Sequence, residues 1–225
     1  MNTGNQERHP ETSSSGRFPR RTSRWLGGLT TATLLTSLTV GSVAMPLVSA
    51  APKAEKKVGK SIHRTFSSSA AITINDNQEA GPYPAVIEVS GLRKSKVTDV
   101  NVTLFDFTHD FPANVDIVLM APNGASTILM SDVGAGTPVQ DLNVTLDDQS
   151  GNTLPSTTVF ESGTFKPTNL GNTPDLFPTI GAPPTGALLA DLNNGNPNGE
   201  WRLFVVDDQG MDAGEIGGGW NLELT

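Results

Sequence analysis

Val115-Asp-Ile-Val-Leu-Met-Ala-Pro-Asn-Gly124, running on into Ala125-Ser-Thr-Ile-Leu-Met-Ser-Asp132, decides the fold. Val115, Ile117 and Leu119 recur at every second residue, with Asp116 and Val118 between them. That period sends alternate side chains to opposite faces of a pleated strand; a helix would need apolar residues three and four apart. Pro122-Asn-Gly124 supplies turn residues, and Ile128 and Met130 resume the apolar run beyond it. The stretch therefore reads as a hairpin.

The same period extends in both directions. Ile87 and Val89 flank Glu88, and Val100, Val102 and Leu104 alternate with Asn101 and Thr103. Val144 with Leu146, Leu188, Trp201 with Leu203 and Val205, and Trp220 with Leu222 and Leu224 complete the set. The runs are short and rich in Val, Ile, Thr and Phe, which suit a half-buried pleated surface. No window beyond residue 70 carries an apolar helical stripe, and Gly and Pro punctuate the chain throughout. The fold class is all-β, a sandwich or barrel of about eight to ten short antiparallel strands. Asp147 to Pro184 reads mostly as loop, long enough to cover a surface or serve a role. Trp201-Arg-Leu-Phe-Val-Val206 is apolar on both faces. Its second face, Phe204 and Val206, is either covered by that loop or offered to a partner.

The first 50 of the 225 residues read as a signal peptide. Arg8, Arg17, Arg20, Arg21 and Arg24 precede a moderately apolar run from Trp25 to Val48, and Val48-Ser49-Ala50 is a small-residue cleavage site. Arg20-Arg21 leaves both twin-arginine and general secretory export open. Export places the mature chain outside the cell or in the cell envelope, with no membrane span after signal cleavage. Residues 51–70 carry Lys53, Lys56, Lys57, Lys60 and Arg64 against Glu55 and read as a basic flexible linker. Residues 71–225 form the folded domain. With no cysteine in the chain, its stability must come from packing, hydrogen bonds or metal.

From Ala71 onward five basic residues face twenty acidic ones. Such a body disfavours nucleic acid, whose binding depends on Lys and Arg against phosphate. It is compatible with divalent cations.

Several landmarks, in order, resemble the P domain (P/Homo B domain) of kexin- and furin-like proteases. They are Ile72-Thr-Ile-Asn-Asp76, Ala85-Val-Ile-Glu-Val-Ser-Gly91, Val97-Thr-Asp-Val-Asn-Val-Thr-Leu104, His109-Asp-Phe-Pro112 and Asp116-Ile-Val-Leu-Met-Ala-Pro-Asn-Gly124. Ser126 to Asp132, Asn196-Pro-Asn-Gly-Glu-Trp201, Leu203 to Asp208 and Gly214 to Leu224 follow. The resemblance covers about residues 72–225 and implies a jelly-roll sandwich. In that family the domain follows a subtilisin-like catalytic domain, stabilises it, and tunes its response to calcium and pH. No such catalytic domain fits in this sequence, because its sheet needs roughly 250 residues or more.

Nucleophilic hydrolysis requires an imidazole base beside a Ser or Cys and an orienting carboxylate. The histidines are His9 in the leader, His63 in the linker and His109 at a strand end, where a bond to Asp110 or to backbone explains it. No Gly-x-Ser-x-Gly elbow and no His-Glu-x-x-His run occurs.

Calcium suits the carboxylates better. It takes six to eight oxygen ligands from flexible loops. Asp207-Asp-Gln-Gly-Met-Asp212 holds Asp207, Asp208 and Asp212 around Gly210; Asp147 and Asp148 form a second acidic turn, and Asp132 a third. Each could equally be an Asx-type turn. Three functional readings follow. The chain is a secreted accessory module that docks on another protein, a component of a subtilisin-like protease whose catalytic domain is on another chain, or a surface adhesion or carbohydrate-binding module.

Overall fold

The computed structural model describes residues 61–92, 96–171, 175–180, 184 and 186–225. The expected leader and the first ten residues of the expected linker lie outside them. Eleven strands follow in order: β1 (Arg64–Ser68), β2 (Ile72–Ile74), β3 (Ala85–Val89), β4 (Val100–His109), β5 (Val115–Met120), β6 (Ser126–Ser131), β7 (Val139–Leu146), β8 (Gly163–Phe165), β9 (Thr168–Asn169), β10 (Gly199–Asp207) and β11 (Gly214–Leu224). Among the described residues the only helical pieces are short 3-10 turns at Pro112–Asn114 and Leu189–Leu192. The chain is the all-β sandwich that its periodicity predicts.

One sheet runs β1-β11-β4-β7-β8, with β2 also paired to β11; the other runs β3-β10-β5-β6-β9. Two pairings depart from the antiparallel expectation. β7 and β8 are parallel, as are β6 and β9. Parallel neighbours need a crossover rather than a tight turn. The long segment after Leu146 provides it, and so contributes strand where loop is expected. The linker expected over 51–70 also ends early. Arg64–Ser68 pairs with β11 from Arg64↔Leu224 to Ser68↔Trp220, and Phe66 packs on the core.

The alternation seen in sequence is the alternation of burial. Ile117, Leu119, Leu203, Val205, Trp201 and Trp220 face one another between the sheets. Trp201 sits just beyond the Asn196–Gly199 turn, and its indole N–H donates to the Pro197 carbonyl at 2.9 Å. The hairpin between β5 and β6 closes where Gly124, at φ +86°, donates its N–H to Ala121 O. Only glycine adopts that backbone without strain.

The outer face of β10 is covered by the chain itself. Phe204 and Val206 join Val118, Ile128 and Phe177 in a second apolar cluster, with Tyr83 and Ile180 packed against it. Phe177 comes from the long segment, which answers the question of what hides the two-faced strand.

Candidate functional site

The carboxylates gather where β5, β6 and β10 end, and the strand period sorts them into two groups. Val206 pairs with Asp116 and Asp207 with Val115. Val115 and Val205 belong to the core between the sheets, whereas Val206 and Val118 belong to the outer cluster. Asp207 therefore points inward and Asp116 outward. Neighbouring residues of the expected calcium loop, Asp207 and Asp208, thus serve different groups.

The inner group is His109, Asp207 and Asp212. His109 and Asp207 are fully buried, with His109 Nε2 3.3 Å from Asp207 Oδ2. One ligand atom of each residue, Asp212 included, lies within 4.8 Å of the others, the spacing of a metal site. The histidine is set differently. Its Nδ1 accepts the Phe111 N–H at 3.2 Å, so in the neutral ring the proton sits on Nε2 and faces Asp207. The lone pair that a metal would need is turned toward Phe111. Burial keeps the His109 pKa below its ordinary value, against the raising influence of the Phe111 bond, Asp212 and Asp110. Burial, with Asp212 and Asp76 nearby, pushes the Asp207 carboxyl up to about 6.

The connection from Asp208 to Ala213 is held by one Asx turn and by two bonds to distant parts of the chain. Gln209 N–H donates to Asp207 Oδ1 at 3.0 Å, Met211 N–H to Asp76 Oδ1 at 2.8 Å, and Asn114 Nδ2 to Asp212 Oδ2 at 3.1 Å. Gly214 ends this connection against the Thr108 carbonyl and the His109 ring, where a Cβ would collide with both.

The outer group is Asp116, Asp132, Asp175 and Asp208, with Ser131 among them. Ser131 Oγ lies 3.0 Å from Asp175 Oδ2 and 3.3 Å from Asp132 Oδ2. Burial first, then Asp175, Asp208 and Asp132, push the Asp116 carboxyl up to about 8, although Ser131 opposes the shift. Burial likewise raises Asp175 and Asp208, each helped by Asp132. Among the described residues the one Lys or Arg within ion-pair distance of a carboxylate is Arg202, on Glu200, so no Lys or Arg pairs with the outer group.

Of the residues expected to bind metal, the structure brings Asp132 together with Asp208 and leaves Asp207 with Asp212. Asp147 and Asp148 join neither group. Asp147 Oδ1 accepts the Gln149 N–H at 2.7 Å, closing a turn. Asp148 accepts the N–H groups of Leu189 and Ala190 at 3.0 and 2.8 Å, capping the 3-10 turn. Both carboxylates of that second acidic turn are structural acceptors. Asp116 and Asp175 were not expected. Asp116 left a signal: a carboxylate on the strand face shared with Val118 contradicts the apolar pattern there. Asp175 left none, since acidic residues are ordinary in loops.

Beside both groups opens a cleft of about 290 Å³, lined by Asn77, Gln78, Glu79, Leu176, Pro178, Val206, Asp207 and Asp208. Leu176 is 79% exposed at its rim, and Met211, on the adjoining connection, is 96% exposed.

No protein-family model matches the chain, and no curated protein matches it. Among solved structures it is similar to the crystal structure of the complex of the Aeromonas sobria serine protease (ASP) and the chaperone (ORF2). The identity is 14%, the match covers 72% of this chain and 26% of that one, and the TM-score is 0.35. This chain thus spans about a quarter of the length of the one it matches.

Proposed function

We propose that this chain is an exported accessory module that docks on another secreted protein and performs no chemistry of its own, the partner being a subtilisin-like serine protease. The observation that carries the reading is the cleft at the end of β10. Its wall holds Glu79 and Asp208, while Leu176 stands out at its rim and Met211 is exposed on the adjoining connection. Acidic groups next to exposed apolar side chains complement a partner surface that presents Lys or Arg beside an apolar residue. The resemblance to the P domain supplies the class of partner. Of the two described histidines, His109 is buried away from any substrate, and His63 contacts Thr225 and Glu223 at the surface. Among the described residues both tryptophans, Trp201 and Trp220, are in the core, where neither can stack on a sugar.

The test mixes purified residues 51–225 with a subtilisin-like protease secreted by the same organism, with a chymotrypsin-like protease as control. Co-elution and a raised melting temperature are expected for the subtilisin-like enzyme alone. Leu176→Asp and Met211→Asp should weaken both. Equal behaviour with the two proteases, or binding indifferent to both substitutions, overturns the reading.

A further inference from the structure

We propose that the Asn194–Gly195 link is a site of spontaneous main-chain rearrangement, in which Asn194 loses its side-chain amide as ammonia and becomes isoaspartate, and that the change unfastens the buried Val97. The rearrangement is independent of any docking partner.

The sequence holds three Asn-Gly steps, at Asn123, Asn194 and Asn198. All three carry the same chemistry. The glycine nitrogen attacks the asparagine side-chain carbonyl, and no Cβ on the glycine stands in the way. A C–N bond forms to Cγ, the Nδ2 group leaves as ammonia with the proton that the glycine nitrogen gives up, and a succinimide ring closes. Water then adds to one of the two ring carbonyls. Opening at Cγ gives aspartate. Opening at the main-chain carbonyl gives isoaspartate, whose main chain runs through Cβ and Cγ. Nothing is oxidised or reduced: an amide and water become a carboxylate and ammonium.

The fold treats the three steps differently. At Asn123 the nucleophile is engaged, since Gly124 N–H donates to Ala121 O at 2.9 Å; Asn123 Oδ1 also accepts the Ala125 N–H at 3.0 Å. At Asn198 the side chain is engaged. Its Oδ1 accepts the Leu92 N–H at 2.9 Å, and its Nδ2 donates to Leu92 O at 2.7 Å and to Asn196 Oδ1 at 2.9 Å. Gly199 moreover opens β10, paired with Val89. Asn194 is exposed, and among the described residues neither its side chain nor the Gly195 N–H has a hydrogen-bond partner.

Rearrangement at this step has a mechanical consequence. Asn194 N–H donates to Val97 O at 2.8 Å, and Gly195 O accepts the Val97 N–H at 3.2 Å. The two bonds clasp one core residue, 2% exposed, from either side of the reacting link. Isoaspartate lengthens the main chain by one carbon between that donor and that acceptor. Both bonds cannot then keep their geometry. Aspartate leaves the main chain as it was and keeps the clasp.

Peptide mapping of the purified protein, aged in warm, mildly alkaline buffer both folded and in urea, tests this. In the folded protein Asn194 should convert about tenfold faster than Asn123 or Asn198, where bonds must open before attack. In urea the three steps should convert at similar rates. Protein carrying isoaspartate at position 194 should melt lower than fresh protein. Asn194→Gly suits the observed φ of +67°, so it should fold, and its melting temperature should survive ageing. Asn194→Asp brings the charge without the extra carbon and should melt with fresh protein. Conversion at Asn194 no faster than at the other two steps in the folded protein overturns the choice of site. Aged protein that melts with fresh protein, or an Asn194→Asp variant that melts as low as the aged one, overturns the loss of the clasp.

Discussion

Tyr83 donates its phenolic hydrogen to the Pro178 carbonyl at 2.8 Å, so the one tyrosine of the chain latches the covering segment to the sheet. Its ring meets Phe204 edge-on, with centroids 5.2 Å apart. Sequence places these residues 95 positions apart, and the contact joins the entry to β3 with the long segment.

That latch is titratable. Burial, with Glu79 nearby, pushes the Tyr83 phenol up to about 12, from an ordinary value near 10. A folded pKa above the unfolded one means that the neutral form favours folding. The contribution is complete below about pH 10 and is lost as the pH rises through about 12. Phenolate absorbance of the native protein should show a midpoint near 12, and of the urea-unfolded chain near 10. A native midpoint near 10 would place Tyr83 in open water.

The two core tryptophans differ in a way that mutation can read. Trp201 donates to Pro197 O, while the Trp220 indole nitrogen is buried without a partner. Trp201→Ala should cost about 3–5 kcal/mol, as large core truncations do. Trp201→Phe leaves a carbonyl unpaired, whereas Trp220→Phe removes an orphan donor. The former should therefore be the more destabilising in urea denaturation, by about 1–3 kcal/mol. Equal losses would mean that the Pro197 bond contributes nothing.

Asp148 holds two backbone N–H groups at the head of the 3-10 turn. Asp148→Ala should lower stability by about 1–2 kcal/mol, in the range of lost helix caps. Asp147→Ala removes a single turn bond and should cost less. Denaturant midpoints of the two variants give the comparison directly.

Glycine substitutions should split by position. A Cβ at Gly214 would strike the Thr108 carbonyl and the His109 ring, while one at Gly151 meets nothing within 4 Å. Gly214→Ala should give poorly folded protein. Gly151→Ala should be neutral or stabilising by up to about 1 kcal/mol. Circular dichroism melts separate the two outcomes.

The sandwich was legible because Ile117, Leu119, Trp201 and Leu203 obey a two-residue period that burial enforces directly. The parallel partners β8 and β9 were not, since Gly163–Phe165 and Thr168–Asn169 are too short to carry a period. The acidic end of β10 was visible as composition, but its division was not. Asp207 and Asp208 are adjacent in sequence and go to opposite faces, and their partners His109 and Asp116 lie about a hundred residues upstream. Which carboxylates meet is decided by strand register, and register is a property of pairs of strands that no single stretch records.

β11 lies between β4 on one side and β1 and β2 on the other, so it is an interior strand of its sheet, although the ribosome makes it after the other ten described strands. A nascent chain that has reached residue 213 has three strands with bare hydrogen-bonding edges and an inner layer lacking Ile216, Trp220, Leu222 and Leu224. Completion of this sheet therefore waits until synthesis passes β11, whose arrival pairs β1 and β2 with one edge and β4 with the other. A stall or premature stop before residue 214 releases a product with open sheet edges, a substrate for chaperones and proteases rather than a smaller version of the domain.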